Sequence, residues 1–269
     1  NLYGAKDAGK NFEDLIADIA AKAKARRGIM NSCLYTIPER NLRFFHYGDD
    51  FILGGPRKHC IWMKQQLEKI LIVKDRGSIG PRTSDLSRIT FLHRIIHYDR
   101  AKDELTFQAD PKHAKLLIEA MGFNGRSKGG ATPGVKVADT EETREPLGAD
   151  AAAHYRSNCM RLGYLALDRV GIQFSAKECA RGMSTPTARH LEILKRCVLY
   201  LITRPNLKYV YNRQSMPKLF TIFSDTDWAG CPITRKSTSG TIVMFGSCLL
   251  YTSPSPRDQR ESGVAAWGL

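Results

Sequence analysis

Apolar residues recur at spacings of three and four along several stretches of this chain, and at spacing two along others. Phe12, Leu15, Ile16, Ile19 and Ala20 share a helical face, predicting a helix over residues 11–27 whose basic end, Lys22 to Arg27, suits a C-terminus. Next comes Leu42, Phe44 and Phe45, then Gly48-Asp49-Asp50, then Phe51, Ile52 and Leu53, closed by Gly54-Gly55-Pro56. That pattern predicts strand, tight turn, strand. Pro56 can start a helix carrying Cys60, Ile61, Met63, Leu67, Ile70 and Leu71. After a polar loop, strands are predicted at Ile89–Tyr98 and Glu104–Ala109, with a charged turn between them.

Asp110 as N-cap, Pro111 at the first position and Gly122 as stop bound a further helix, with Ala114, Leu117, Ile118 and Met121 as its buried stripe. From Asn124 to Pro146 periodicity fades among Gly, Lys, Thr and Glu, which predicts a linker or long surface loop. Three helical stretches follow. One carries Tyr155, Cys159, Leu162, Leu165 and Ala166, and a second carries Ile172, Ala176, Cys179 and Met183. The third, opened by Thr185-Pro186, carries Leu191, Leu194, Val198 and Leu201. Past Pro205-Asn206, strands are predicted at Leu207–Tyr211, Lys218–Ser224 and Gly240–Phe245. Blocks of strands and helices in this order make an α+β chain.

Composition sharpens this picture at two points. With 42% hydrophobic and 25% charged residues over 269 positions, the chain has ample material for a core and no stretch of eighteen apolar residues. It also lacks a basic-then-apolar leader, and its seven cysteines form no C-x-x-C pair; both point to reduced thiols in an intracellular protein. The 41 Lys and Arg against 27 acids give +14, which makes nucleic acid a natural partner, though a basic protein without one fits the charge equally.

Candidate chemistry lies in two acidic clusters at strand ends, Asp49/Asp50 and Asp225/Asp227. Adjacent carboxylates repel unless a cation, a basic side chain or water spreads the charge, and Mg²⁺ takes such hard oxygen ligands. Aspartate also caps backbone amides in turns, so both readings stand at this point. His93 and His97 have a metalloprotease-like spacing without its glutamate, in a strand-like run, and read as a surface or half-buried strand pair. Arg235-Lys236 could touch phosphate or form a solvated turn.

The hairpin around Tyr47-Gly48-Asp49-Asp50 resembles the Tyr-x-Asp-Asp motif of reverse transcriptases. Around it, an ordered set of segments resembles the Pol polyprotein of copia-type retrotransposons: Leu2-Tyr3-Gly4, Ser32-Cys33-Leu34-Tyr35, Ala109-Asp110-Pro111-Lys112-His113, Tyr164 to Arg169, and Met183-Ser184-x-Pro186-Thr187. Ser224-Asp225-Thr226-Asp227-Trp228-Ala229-Gly230-Cys231 and Thr234-Arg235-Lys236-Ser237-Thr238-Ser239-Gly240 complete the set and resemble the opening of a ribonuclease H domain.

The resemblance implies a fragment of an RNA-directed DNA polymerase with ribonuclease H, working by two-metal phosphoryl transfer. Residues 1–123 would be the C-terminal part of a polymerase palm with thumb-like elements, 124–149 a linker, 150–206 a helical connection and 207–247 the first strands of a ribonuclease H-like domain. Asp49 and Asp50 would be catalytic metal ligands for Mg²⁺ and Asp225 the first ribonuclease H ligand, with Asp227 in the pattern but not counted as a ligand. Partners would be an RNA/DNA template–primer and deoxynucleoside triphosphates, in a cytoplasmic particle and the nucleus, with no membrane. The resemblance names no nucleic-acid-binding residue and no oligomeric state.

Gly48 departs from the apolar residue usual at its position, and the remaining acids of both sites would lie outside this chain, so the chain alone is expected to lack both activities. Cys248 to Asp258 can be encoded by a string resembling a transposase-based sequencing adaptor, so residues 248–269 read as an artefactual tail; a Pro/Ser-rich flexible tail is the other reading. A non-catalytic basic nucleic-acid-binding remnant of a degenerate element is the alternative function.

Overall fold

The computed structural model describes residues 5–230 and 235–253. Leu2-Tyr3-Gly4, the segment 231–234 and most of the proposed tail, 254–269, lie outside the described residues. The fold is mixed α+β with antiparallel sheets, in two compact units, residues 1–78 and 79–269. The boundary falls inside the span expected to form one partial palm and thumb.

In the first unit, α1 (Ala8–Lys22) is followed by β1 (Arg26–Arg27), β2 (Leu34–Ile37), β3 (Leu42–Tyr47), β4 (Asp50–Gly54) and α2 (Arg57–Glu68). The strands form one antiparallel sheet in sequence order. Ile16, Ile19 and Ala20 of α1 and Met63 and Leu67 of α2 are buried with Tyr35, Ile37, Leu42 and Phe44, so both helices contribute to one face of the sheet. Spacing two on the strands and three to four on the helices place these residues together.

Helix α1 ends earlier than its charge pattern predicts. Lys24 takes a left-handed conformation (φ 58°), while Ala25 N–H reaches Ala20 O and Lys24 N–H reaches Ala21 O, both at 2.9 Å. That is a Schellman stop with lysine where glycine is usual. The basic residues beyond it enter β1 instead of a last helical turn.

In the second unit, β5 (Arg88–Phe91), β6 (Arg94–Asp99), β7 (Glu104–Gln108) and β8 (Lys208–Asn212) make one antiparallel sheet. The predicted strand Ile89–Tyr98 is thus two strands. Leu92 and His93, both at positive φ (48° and 62°), turn the chain between them. His93 therefore belongs to a turn, not to a strand with His97. Strand β8 pairs with β7, so it does not join the strands that follow it.

Between β7 and β8 run α3 (Pro111–Ala120), α4 (Glu141–Arg144), α5 (Ala149–Ala166), α6 (Gln173–Arg181) and α7 (Ala188–Thr203). Asp110 caps α3 as predicted, accepting from Lys112 N–H at 2.8 Å, and Gly122 (φ 74°) ends it. Leu117, Tyr155, Leu162, Leu194 and Leu201 form the centre of a shared helical core. The segment 124–147 is no free tether. Gly130 N–H donates to Leu199 O, Arg196 binds Thr132, and Val137 and Leu147 pack against the helical core. Finally β9 (Phe220–Thr226), β10 (Ser239–Phe245) and β11 (Cys248–Ser253) form a separate antiparallel sheet. The first six residues of the proposed tail are strand β11, paired with β10.

Candidate functional site

The Asp49-Asp50 site is built by the β3–β4 hairpin. Tyr47 pairs with Asp50, leaving Gly48 and Asp49 as a two-residue turn with Gly48 at φ 57°, the pattern of a type II′ hairpin. Nothing lies within 4 Å of a Cβ added at Gly48, so the glycine answers a backbone requirement and not crowding.

Register then assigns faces. Phe44, His46, Phe51 and Leu53 lie on the helix-covered side; Phe45, Tyr47, Asp50 and Ile52 lie on the other. Asp50 therefore projects from the open face at the hairpin's end, and Asp49 sits at the exposed tip. No side-chain hydrogen bond or ion pair holds either carboxylate among the described residues. On the same open face, four residues along the ladder from the Tyr47–Asp50 pair, Arg26, Thr36 and Arg43 stand in one cross-strand row.

The far side of the hairpin carries a residue that the sequence reading passed over. His46 is 1% exposed, its ring near-parallel to Tyr35 at 6.0 Å and to Phe51 at 5.8 Å. Neither ring nitrogen, nor the Tyr35 hydroxyl, has a hydrogen-bond partner among the described residues. Counting by twos from Leu42 would have placed His46 on the buried face.

The second cluster behaves differently. Asp225 lies on β9 opposite Gly240, is exposed, and takes the N–H of Thr226 at 2.8 Å. Asp227 accepts from Thr238 N–H and donates its own N–H to Thr238 O at 3.1 Å. Its carboxylate closes the β9–β10 connection, which is the backbone-capping role of turn aspartates. Arg235 and Lys236 are exposed before β10. Asp49 and Asp50 are thus adjacent in one unit, while Asp225 and Asp227 belong to the other. No cluster of three or more His, Cys, Asp or Glu suited to a metal occurs among the described residues.

Cysteine chemistry is quiet. All six described cysteines are free thiols, and burial pushes Cys159 up to about 11 and Cys197 up to about 12, with Cys179 also raised. Protonated thiols in an apolar helical layer are core, not nucleophiles. No described helix is long and apolar enough to cross a membrane.

Sequence comparison supplies relatives. The chain is 33% identical over 113 residues, 42% of its length, to the retrovirus-related Pol polyprotein from transposon RE1 of Arabidopsis thaliana. It is 33% identical over 92 residues, 34% of its length, to the corresponding polyprotein from transposon RE2. An uncharacterized mitochondrial protein of the same plant is 32% identical over 99 residues, 37% of the chain. These stretches span 7% and 6% of the two polyproteins and 41% of the mitochondrial protein. No family model and no solved structure matches.

Proposed function

We propose, proceeding from a chain related to retrotransposon Pol polyproteins, that it carries part of a copia-type RNA-directed DNA polymerase with ribonuclease H. The observation that carries this reading is the Asp49-Asp50 pair, held by a two-residue turn at the open tip of a sheet whose other face is packed with α1 and α2.

Two hard-oxygen carboxylates with no partner among the described residues fit one or two positions around Mg²⁺, an ion that completes its shell with water and substrate phosphates. Asp49 and Asp50 would hold the ion in the intact parent. When bound, it would neutralise charge on the incoming nucleotide's phosphates. The hairpin's contribution is rigidity: the ladder to β3 fixes Asp50, and Gly48 lets the turn close without strain. Asp225 would serve the ribonuclease H site in the same way, from the end of β9. Arg26 and Arg43, on the face that carries Asp50, suit a phosphate backbone.

The test uses Mn²⁺ with a deoxynucleoside triphosphate as probe, followed by paramagnetic resonance and calorimetry. Binding to the 269-residue chain should weaken at least about tenfold in Asp49→Asn/Asp50→Asn. Equal binding by parent and variant would overturn the reading. The second reading, a non-catalytic basic module, is favoured by the +14 charge. It predicts nucleic-acid binding that is salt-sensitive and indifferent to the same double substitution, with no nucleotide-dependent Mn²⁺ uptake.

A further inference from the structure

The sequence holds eight asparagines, and Asn124 is the one followed by glycine. It stands where α3 hands over to the segment that runs across the helical core. The residue is exposed, and its Oδ1 accepts the N–H of Arg126 at 2.9 Å, which makes an Asx turn. The turn is braced on both sides. Asn124 N–H donates to Ser127 Oγ at 3.1 Å, and Ser127 N–H donates to Asn124 O at 3.0 Å. The ring closed by the Oδ1 bond contains both the side-chain carbon Asn124 Cγ and the backbone nitrogen of Gly125. Gly125 is exposed, and no acceptor takes its N–H among the described residues. A Cβ added there would meet nothing within 4 Å, so solvent reaches the site freely.

We propose that Asn124 is a modification site: its amide is lost spontaneously by attack of the next residue's backbone nitrogen, with water as co-reactant. Gly125 N gives its proton to hydroxide from solvent and bonds to Asn124 Cγ, while the carbonyl electron pair moves onto Oδ1. When that pair returns, the Cγ–Nδ2 bond breaks, and Nδ2 takes a proton from water and leaves as ammonia. Water then opens the cyclic imide at either carbonyl, giving aspartate or isoaspartate. Three features favour the first step. Arg126 N–H already points at Oδ1, the oxygen that takes up the charge. The braced turn orders the reacting atoms in advance. Glycine puts no Cβ beside the attacking nitrogen. Asn31 supplies a comparison within the chain: its Oδ1 accepts Cys33 N–H at 3.0 Å in the same kind of turn, but Ser32 carries a Cβ beside its nitrogen. The reaction is complete within two consecutive residues and needs no other segment or chain.

The test keeps the folded 269-residue chain in mildly alkaline buffer and digests samples at intervals for mass spectrometry. The peptide holding Asn124 should convert into two products, aspartyl and isoaspartyl, as ammonia is released and an acidic species grows on isoelectric focusing. Asn124 should be lost severalfold faster than Asn31. Gly125→Ala fits the open space at that position, where φ is not positive, and should slow the loss severalfold while the circular dichroism stays that of the parent. Asn124→Gln, whose longer side chain would have to close a larger ring, should remove the acidic species. Four results would each overturn the proposal. They are an Asn124 that stays intact in the folded chain while the urea-unfolded chain loses it, an aspartyl product alone, loss of Asn31 first, and a Gly125→Ala rate equal to the parent's.

Discussion

The Nδ1 of His190 accepts from Thr187 N–H at 3.2 Å and lies 2.9 Å from Thr187 Oγ1, closing a capping box at the start of α7. A Cβ added at Gly182 would run into this imidazole, so the ring is wedged as well as bonded. Burial, and secondarily the Arg189 cation, hold its pKa below the ordinary 6.5, against a smaller opposing pull from Glu178. The unfolded chain therefore takes up a proton near 6.5 while the folded ring still resists. Stability from this cap is full above 6.5 and is lost as pH falls from there through the lowered folded-state value. A cap is worth about 1 kcal/mol. His190→Gln, which keeps the box without a titrating group, should flatten the fall in melting temperature between about pH 7 and pH 5. A fall as steep as the parent's would show that His190 is not its source. At this scale the sequence was partly legible. Asp110 announced its helix, and Thr185-Pro186 announced α7 two residues early, since its N-cap is Thr187; histidine is not a usual third residue of a capping box, and nothing marked His190.

Among the elements, two helices end in the same Schellman geometry, and only one was readable. Gly122 closes α3 with Phe123 N–H on Ile118 O, and glycine at that position is the expected signal. Lys24 does the same for α1 with a residue that pays for its positive φ. Lys24→Gly should raise stability by about 0.5–1 kcal/mol in urea titration. No gain would mean that the turn is not strained. The β5–β6 turn was missed for a like reason: Leu92-His93 carries none of the Asn, Gly or Asp that mark two-residue hairpins. The Asp49-Asp50 hairpin was legible because Gly48 sits where its turn needs it. The pairing of β8 with β7 was not, since local pattern holds no information about which distant strand a segment will join.

For the whole molecule, 41 basic residues against 27 acidic ones outweigh any single ion pair. Several of the described pairs are solvent-exposed, as in Arg26–Glu39 and Arg213–Asp103, and contribute little to stability. The excess is available to a polyanion. If the proposed function holds, binding to an RNA–DNA duplex should weaken at least about a hundredfold between roughly 50 and 200 mM salt, linearly in log–log form. A flat salt response would exclude phosphate neutralisation as the source of affinity. Charge and motif order were visible in the sequence, whereas the division at residue 78 and the strap of 124–147 across the helices depend on tertiary packing.

The union of β7 and β8 has a consequence in time. Gln108 faces Lys208, so the two strands clasp about a hundred residues of chain between them, the whole helical layer included. Bringing such ends together from an open coil costs roughly 4 kcal/mol in loop entropy, before the first ladder bond is made. Helices assemble from near neighbours and need no such closure. The helical layer is therefore expected to form first and to deliver the ends of its own loop to one another, so that in pulsed hydrogen exchange the amides of β8 gain protection after those of α5 and α7; protection of β8 before those helices would refute that order.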